Sequence, residues 1–320
     1  MAVSAAESAS PFVGHWALTI PGGGAGWLGV TEQGGYYDAS VMWGGGSVVP
    51  TASVFIEDDT LYVVRLNEVQ RRDADGKVVR TQHFPELLQG QIVGRRIDFT
   101  LHRPNTNGRG IRRDTFSGVR QPDLPPAPDL KTLKFGPPIE LFNGRDLTGW
   151  RLTSPHQRNG WRAKNGVLLN DPVQEEDKPR ISYGNLRTDR EFEDFNLKLE
   201  TMVGPDGNSG IYLRGIYEVQ VADSYGRAPN SHGMGGIYSR IAPTANPSKP
   251  PGEWQTFDIT LADRHVTVIL NGQTIIDNQP LLGCTGGALW SDPLRPGPIY
   301  LQGDHTSVSY RNLVLRPVLK

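Results

Sequence analysis

The chain has 320 residues, 37% of them hydrophobic, with 38 glycines, 25 prolines, one cysteine and a formal net charge of −1. Such a balance offers nothing to nucleic acid or to an anionic membrane surface, and the lone Cys284 excludes an intrachain disulfide. So many glycines and prolines favour short strands over long helices, and no apolar run approaches the ~20 residues of a membrane span.

In chain order, residues 1–10 read as a disordered tail. They carry neither the basic start nor the apolar stretch of a signal peptide, but they fit the small-residue remnant of a trimmed one. A periplasmic or secreted location is therefore the expectation, and one cysteine is equally compatible with the cytoplasm.

Residues 11–120 read as a small all-β domain, an antiparallel barrel or sandwich. Trp16, Leu18 and Ile20 share one face of a first strand, and further strands are expected near 27–30, 36–43, 47–56, 60–70, 77–83, 91–101 and 113–118. Gly14-His15-Trp16 resembles the opening strand of lipocalin-like barrels. The glycine-rich stretch 22–26 is a turn, because a strand follows it where a phosphate loop would need a helix N-terminus. His15, His83 and His102 lie on unrelated strands and read as structural.

Residues 121–138 hold six prolines in eighteen positions and read as a semi-rigid linker. Residues 139–320 then form a second all-β domain. Trp150 and Trp161 are expected in its core, and the charged loop 171–180 in solvent. Asn165-Gly166 and Asn271-Gly272 mark two-residue hairpin turns. Glu200 is the residue of the half-buried strand around 195–200 expected to reach a cleft. The Gly/Pro/Ser-rich segment 223–250 reads as loop around a short strand at 236–240, with His232 and Tyr238 in it.

The candidate site is organised by two stretches. In Asn208-Ser-Gly-Ile-Tyr-Leu-Arg214 and Tyr217-Glu-Val-Gln220, alternation puts Tyr212 and Arg214 on one face and gives Glu218 and Gln220 a shared face. In Gly297-Pro-Ile-Tyr-Leu-Gln-Gly-Asp-His305, Tyr300, Gln302 and Asp304 share a face, with His305 at the strand end. Tyrosines and amides flanked by glycines, with no lysine, fit the floor of a sugar-binding cleft better than an ordinary wet sheet face.

Six motifs in order carry a resemblance: Leu-Phe-Asn-Gly-Arg-Asp-Leu-Thr-Gly-Trp (141–150), Asn-Ser-Gly-Ile-Tyr-Leu-Arg (208–214), Tyr-Glu-Val-Gln (217–220), Gly-Glu-Trp-Gln (252–255), Leu-Asn-Gly (270–272) and Gly-Pro-Ile-Tyr-Leu-Gln (297–302). Residues 139–316 thereby resemble the 3-keto-disaccharide hydrolase family. The resemblance implies a concanavalin A-like (jelly-roll) β-sandwich and cleavage of glycosides or disaccharides already oxidised to a ketone at C3. The ketone acidifies the C2 hydrogen, so one base can remove it, the group on C1 leaves by elimination, and water addition gives net hydrolysis.

On that reading Glu218 and His305 transfer protons, and Arg214 and Gln220 hold the enolate oxygen. Tyr212, Gln302 and Asp304 then place hydroxyls, with Asp223, Tyr238 and Glu200 as further candidates for substrate contact. No cofactor is demanded. A divalent metal in the place of Arg214 is an alternative, although no ligand spacing supports it. The partner is a small glycoside or disaccharide, and the oligomeric state stays open. Two other readings remain: a lectin-like binding module, and an ordinary glycosidase with two carboxylates. The position two residues beyond Glu218 is the amide Gln220, which counts against the glycosidase.

Overall fold

The computed structural model of the chain describes residues 10–175 and 178–320. Apart from Ser10, the expected tail 1–10 lies outside the described residues, as do Glu176 and Asp177 of the charged loop. Among the described residues there are strands and turns but no helix, and hence none long and apolar enough to cross a membrane. The chain divides into two compact units, Met1–Pro122 and Asp123–Lys320.

The first unit is one antiparallel sheet of nine strands. Sequence neighbours pair throughout, except that Val48–Pro50 and Ser53–Glu57 do not, while Gly14–Thr19 pairs with the last strand, Ile111–Arg120. Such a sheet rolls around a single core, here built on Trp16, Leu18, Leu28, Leu61, Leu88 and Phe99. Where strands 77–83 and 91–101 were expected, the chain runs as Val78–Val93 and Arg96–Pro104. Pro85 does not break the first of these. It lies beyond Leu87↔His102, the last pair made with Arg96–Pro104, so its missing N–H falls where that side of the strand is unpaired.

The second unit is a β-sandwich. Its five-stranded sheet is ordered Trp150–Leu152, Leu186–Thr188, Tyr300–Leu301, Asn208–Leu213, Tyr217–Ala222. Its larger sheet runs Trp161–Lys164, Val167–Asn170, Val308–Leu319, Phe195–Val203, Gln255–Ala262, His265–Leu270, Gln273–Pro280. Both Asn-Gly hairpins form as expected, with positive φ at Asn165, Gly166, Asn271 and Gly272. Trp150 and Trp161 are buried, and their indole N–H groups donate to the carbonyls of Leu141 (2.6 Å) and Gly184 (2.9 Å).

Two expectations are corrected. The proline-rich stretch, read as a semi-rigid linker over 121–138, belongs from Asp123 onward to the second unit. Lys134–Phe135 and Ile139–Glu140 pair with Val308–Leu319, and Asn278 donates to the Pro128 carbonyl at 2.9 Å. Proline lacks a donor but keeps its acceptor, so such a segment can be laid on a fold and tied there. At 236–240 there is no strand, only the isolated bridges Val219↔Ile237 and Ile237↔Ile241.

Candidate active site

Within the five-stranded sheet, Asn208–Leu213 pairs with Tyr217–Ala222 so that Tyr212 faces Glu218 and Gly210 faces Gln220. On its other side Tyr212 faces Tyr300, and the Gln302 N–H donates to the Gly210 carbonyl at 2.9 Å. Directly paired residues share a face. One face therefore carries two rows, Glu218–Tyr212–Tyr300 and Gln220–Gly210–Gln302. The opposite face carries Ile211, Leu213, Val219, Val221 and Leu301, all fully buried in the sandwich core.

Glu218 is 3% exposed. Its Oε2 lies 2.8 Å from the Tyr212 hydroxyl, which also stands 2.7 Å from the Gly286 carbonyl oxygen. The Tyr212 ring stacks on Tyr300 at 4.0 Å between centroids, and the Tyr300 hydroxyl accepts a hydrogen bond from Asn185 Nδ2 at 2.9 Å. The segment that brings Gly286 is tied across the sheet. Thr285 Oγ1 accepts the Glu218 N–H at 2.9 Å, and the Cys284 carbonyl accepts from Arg240 Nε at 2.8 Å. Tyr238 closes the near edge by donating its N–H to the Glu218 carbonyl at 3.0 Å, with its ring edge-to-face on His232.

The electrostatics follow from burial. Desolvation, outweighing the hydrogen bond from Tyr212 and aided by the charge of Asp304, pushes the Glu218 carboxyl up to about 8. Burial likewise raises the Tyr212 and Tyr300 hydroxyls. Asp304 goes the other way. Burial works to raise it, but the hydrogen bond and charge of His305 outweigh that and hold it below the usual carboxylate range. His305 Nδ1 stands 2.8 Å from Asp304 Oδ1, and the two side chains are 41% and 39% exposed. The site thus has a buried protonated acid on its floor and a carboxylate–imidazole pair at its rim.

Tyr212's single hydrogen cannot serve two acceptors with full bonds. With Tyr212 donating to Gly286, the short contact to Glu218 needs a hydrogen from the carboxyl, which agrees with the raised carboxyl. With Tyr212 donating to Glu218 Oε2 instead, the carboxyl proton sits on Oε1 and can be offered outward, and the Gly286 carbonyl must then draw back from its 2.7 Å contact.

The sequence candidates divide. Glu218, Tyr212, Gln220, Gln302 and Asp304 come together, with His305 attached through Asp304. Arg214 does not join them. It leaves the strand's alternation, with φ +54 in the turn before Gly215, and its Nε and Nη2 donate to the Arg295 carbonyl at 3.2 and 2.7 Å. Its charge acts on Asp194 and Tyr217, so it is no electrophile for Glu218's side of the sheet. Gln220 gives one of its two amide hydrogens to Asn208 Oδ1 at 2.8 Å, and the atom it leaves without a partner is the acceptor Oε1, which cannot donate to an enolate. Glu200 lies on the outer face of the larger sheet, where Arg311 Nε (2.8 Å) and Asn312 Nδ2 (2.7 Å) donate to it. Asp223 follows the strand and accepts the Asp206 N–H at 3.1 Å.

Asn185 and Gly286 were not foreseen. Asn185 only precedes a three-residue strand, and a backbone carbonyl leaves no mark in a sequence. Among the described residues no group of three or more His, Cys, Asp or Glu side chains is placed to hold a metal ion, so the metal alternative gains no ligand set.

A family model described as a 3-keto-alpha-glucoside-1,2-lyase-like domain matches residues 137–316. Among solved structures, a Parabacteroides distasonis protein provisionally described as a glycosyl hydrolase is 28% identical over 61% of this chain and 94% of its own, with a TM-score of 0.45. A second from that organism, described alike, is 21% identical over 57% of this chain and 94% of its own, with a TM-score of 0.46. SCLam, a non-specific endo-beta-1,3(4)-glucanase of family GH16, is 12% identical over 62% of this chain and 93% of its own, with a TM-score of 0.36. No curated protein matches the chain.

Proposed function

Because the chain belongs, through residues 137–316, to the 3-keto-alpha-glucoside-1,2-lyase-like domain family, we propose that it cleaves glycosides bearing a ketone at C3 of the sugar. The family supports a glycoside-cleaving enzyme. The observation that carries the 3-keto reading is the Tyr212 hydroxyl, within 2.8 Å of both Glu218 Oε2 and the Gly286 carbonyl, over a buried carboxyl that keeps its proton. A neutral buried carboxylic acid is a donor suited to an oxygen that gains charge, as at the enolate site of ketosteroid isomerase, and Tyr212, whose own hydrogen goes to Glu218 or Gly286, holds that carboxyl in place.

In this reading His305, oriented by the Asp304 carboxylate on Nδ1, takes the C2 hydrogen on Nε2. The C–H electrons form the C2–C3 double bond, and the C3 oxygen takes the Glu218 proton or a strong hydrogen bond from it. When the carbonyl re-forms, the electrons move to C1–C2 and the C1–O bond breaks. His305, now protonated, delivers the hydrogen to the departing oxygen, which sits on the neighbouring carbon. The product is an unsaturated ketone. Water adding at C1, with a proton at C2, converts it to the free keto sugar.

One observation favours a second reading. Glu218 is raised and Asp304 lowered, the split expected of a glycosidase's acid and its ionised partner. Matched oxidised and unoxidised glycosides separate the two. Release of the aglycone from the 3-keto compound alone supports elimination, and equal release from the unoxidised compound overturns it.

A further inference from the structure

The row Gln220–Gly210–Gln302 contains two unexplained atoms. Gln220 Oε1 and Gln302 Oε1 are both buried and have no hydrogen-bond partner among the described residues. Gln220 is 4% exposed, and buried acceptors are seldom left unpaired, because each forfeits its hydration. Asn208 orients Gln220 by taking one of its two amide hydrogens at 2.8 Å, which leaves the oxygen free. Between the glutamines stands Gly210. A Cβ there would lie 2.9 Å from both Cδ and Cγ of Glu218, so the Glu218 carboxyl itself occupies the gap over the glycine.

Neighbouring strands lie about 4.8 Å apart. The three side chains therefore present a compact row of acceptor, carboxyl, acceptor. When Tyr212 donates to Glu218 Oε2, the middle position is a donor. From this arrangement we infer that Gln220, Glu218 and Gln302 recognise a ketone flanked on both sides by hydroxyls. The two amide oxygens take the hydroxyl hydrogens, and the carboxyl proton goes to the carbonyl oxygen between them. In a 3-keto glucoside these groups are the C2 hydroxyl, the C3 carbonyl and the C4 hydroxyl. The inference rests on the proposed elimination for the placing of the ketone, but the amide row is a binding device in its own right. It makes Gln220 and Gln302 specificity-determining residues and Gly210 the residue whose missing side chain makes room for the carboxyl.

The test is calorimetric binding of methyl 3-keto-glucoside and of its 2-deoxy and 4-deoxy forms to the full chain, with parallel kinetics on the corresponding 4-nitrophenyl glycosides. Each deoxy form should bind wild type about 10- to 100-fold more weakly, the usual size for a lost buried hydrogen bond. Gln220→Met and Gln302→Met should each weaken binding of the parent similarly, through KM more than kcat. Each should then lose no further affinity for one of the two deoxy forms, which assigns its hydroxyl. Gln302→Met has no partner of its amide oxygen to lose, so it carries the test if Gln220→Met fails to fold. Parent and deoxy forms bound equally well by wild type, full further loss in both variants, or no binding to the folded protein would each overturn the inference. The predicted binding pattern without cleavage would keep the row and sink the elimination.

Discussion

The Tyr212 hydroxyl and Glu218 Oε2 are 2.8 Å apart on adjacent strands, in the one cross-strand pair of this sheet that joins a phenol to a carboxyl. Burial outweighs the hydrogen bond from Tyr212, so that Glu218 is a proton donor near neutral pH and not a permanent anion. Glu218→Gln keeps the volume and removes the acid. It should lower turnover of a 3-keto glycoside by roughly 10²–10⁴, the usual span for a positioned acid or base, with KM little changed. His305→Ala should fall in the same range, while Asp304→Asn, which removes the imidazole's orienting charge and part of what raises Glu218, should cost less. Initial rates of aglycone release check all three.

The pH dependence has a definite sign. A carboxyl raised from 4.5 to about 8 holds its proton in the folded state after the unfolded chain has lost it. The stability it contributes is complete below about 4.5 and is lost as pH rises through about 8. The slope approaches 1.4 kcal/mol per pH unit for one proton, at most. Wild type should therefore lose more Tm than Glu218→Gln between pH 5 and 8, in buffers where Asp304, His305 and both tyrosines are intact. Activity should also decline through about pH 8 in wild type as the acid ionises. Parallel slopes of Tm against pH for the two proteins would count against a proton on Glu218.

Elimination requires the C2 hydrogen to leave. A substrate deuterated at C2 should react more slowly if that step limits the rate, or exchange its label with solvent if it does not. Full retention of deuterium in the product at an unchanged rate would restore the two-carboxylate glycosidase, with Glu218 and Asp304 as its pair.

Two glycines should be intolerant for separate reasons. At Gly210 an added methyl would collide with Glu218 Oε1. At Gly287 it would fall 2.6 Å from the Tyr212 hydroxyl, on a residue whose φ of +77 already disfavours a side chain. Either alanine should cost about 1–3 kcal/mol, the range for overpacking, and should depress activity beyond what the loss of folded protein explains. Denaturant melts combined with active-site-normalised rates make the comparison.

Arg214 should behave as a loop anchor. Arg214→Lys keeps the charge but loses the paired donors that meet the Arg295 carbonyl. Thermal unfolding should come several degrees earlier, at roughly 1–2 kcal/mol for lost hydrogen bonds. Turnover per folded molecule should stay within about threefold. A hundredfold loss of kcat at unchanged Tm would return Arg214 to the chemistry.

Alternation alone placed Glu218, Gln220 and Tyr212 on a polar face and Ile211, Leu213 and Val219 on an apolar one, because side-chain direction in a strand is local geometry. For the same local reason the Asn-Gly pairs fixed two hairpins. Arg214 escaped because a turn with positive φ ends the alternation one residue earlier than the sequence implied, and nothing in the side-chain pattern marks that point. Glu200 escaped because alternation gives a residue's face but not which side of a sandwich that face looks toward. The proline-rich stretch looked like a spacer because composition reports stiffness, whereas docking depends on acceptors offered by distant residues such as Asn278. What only the tertiary structure decided is the chemistry of Glu218. Its proton is held by burial against the hydrogen bond from Tyr212 and with the help of the Asp304 charge, and both the burial and the distant charge exist only when the sheet is assembled.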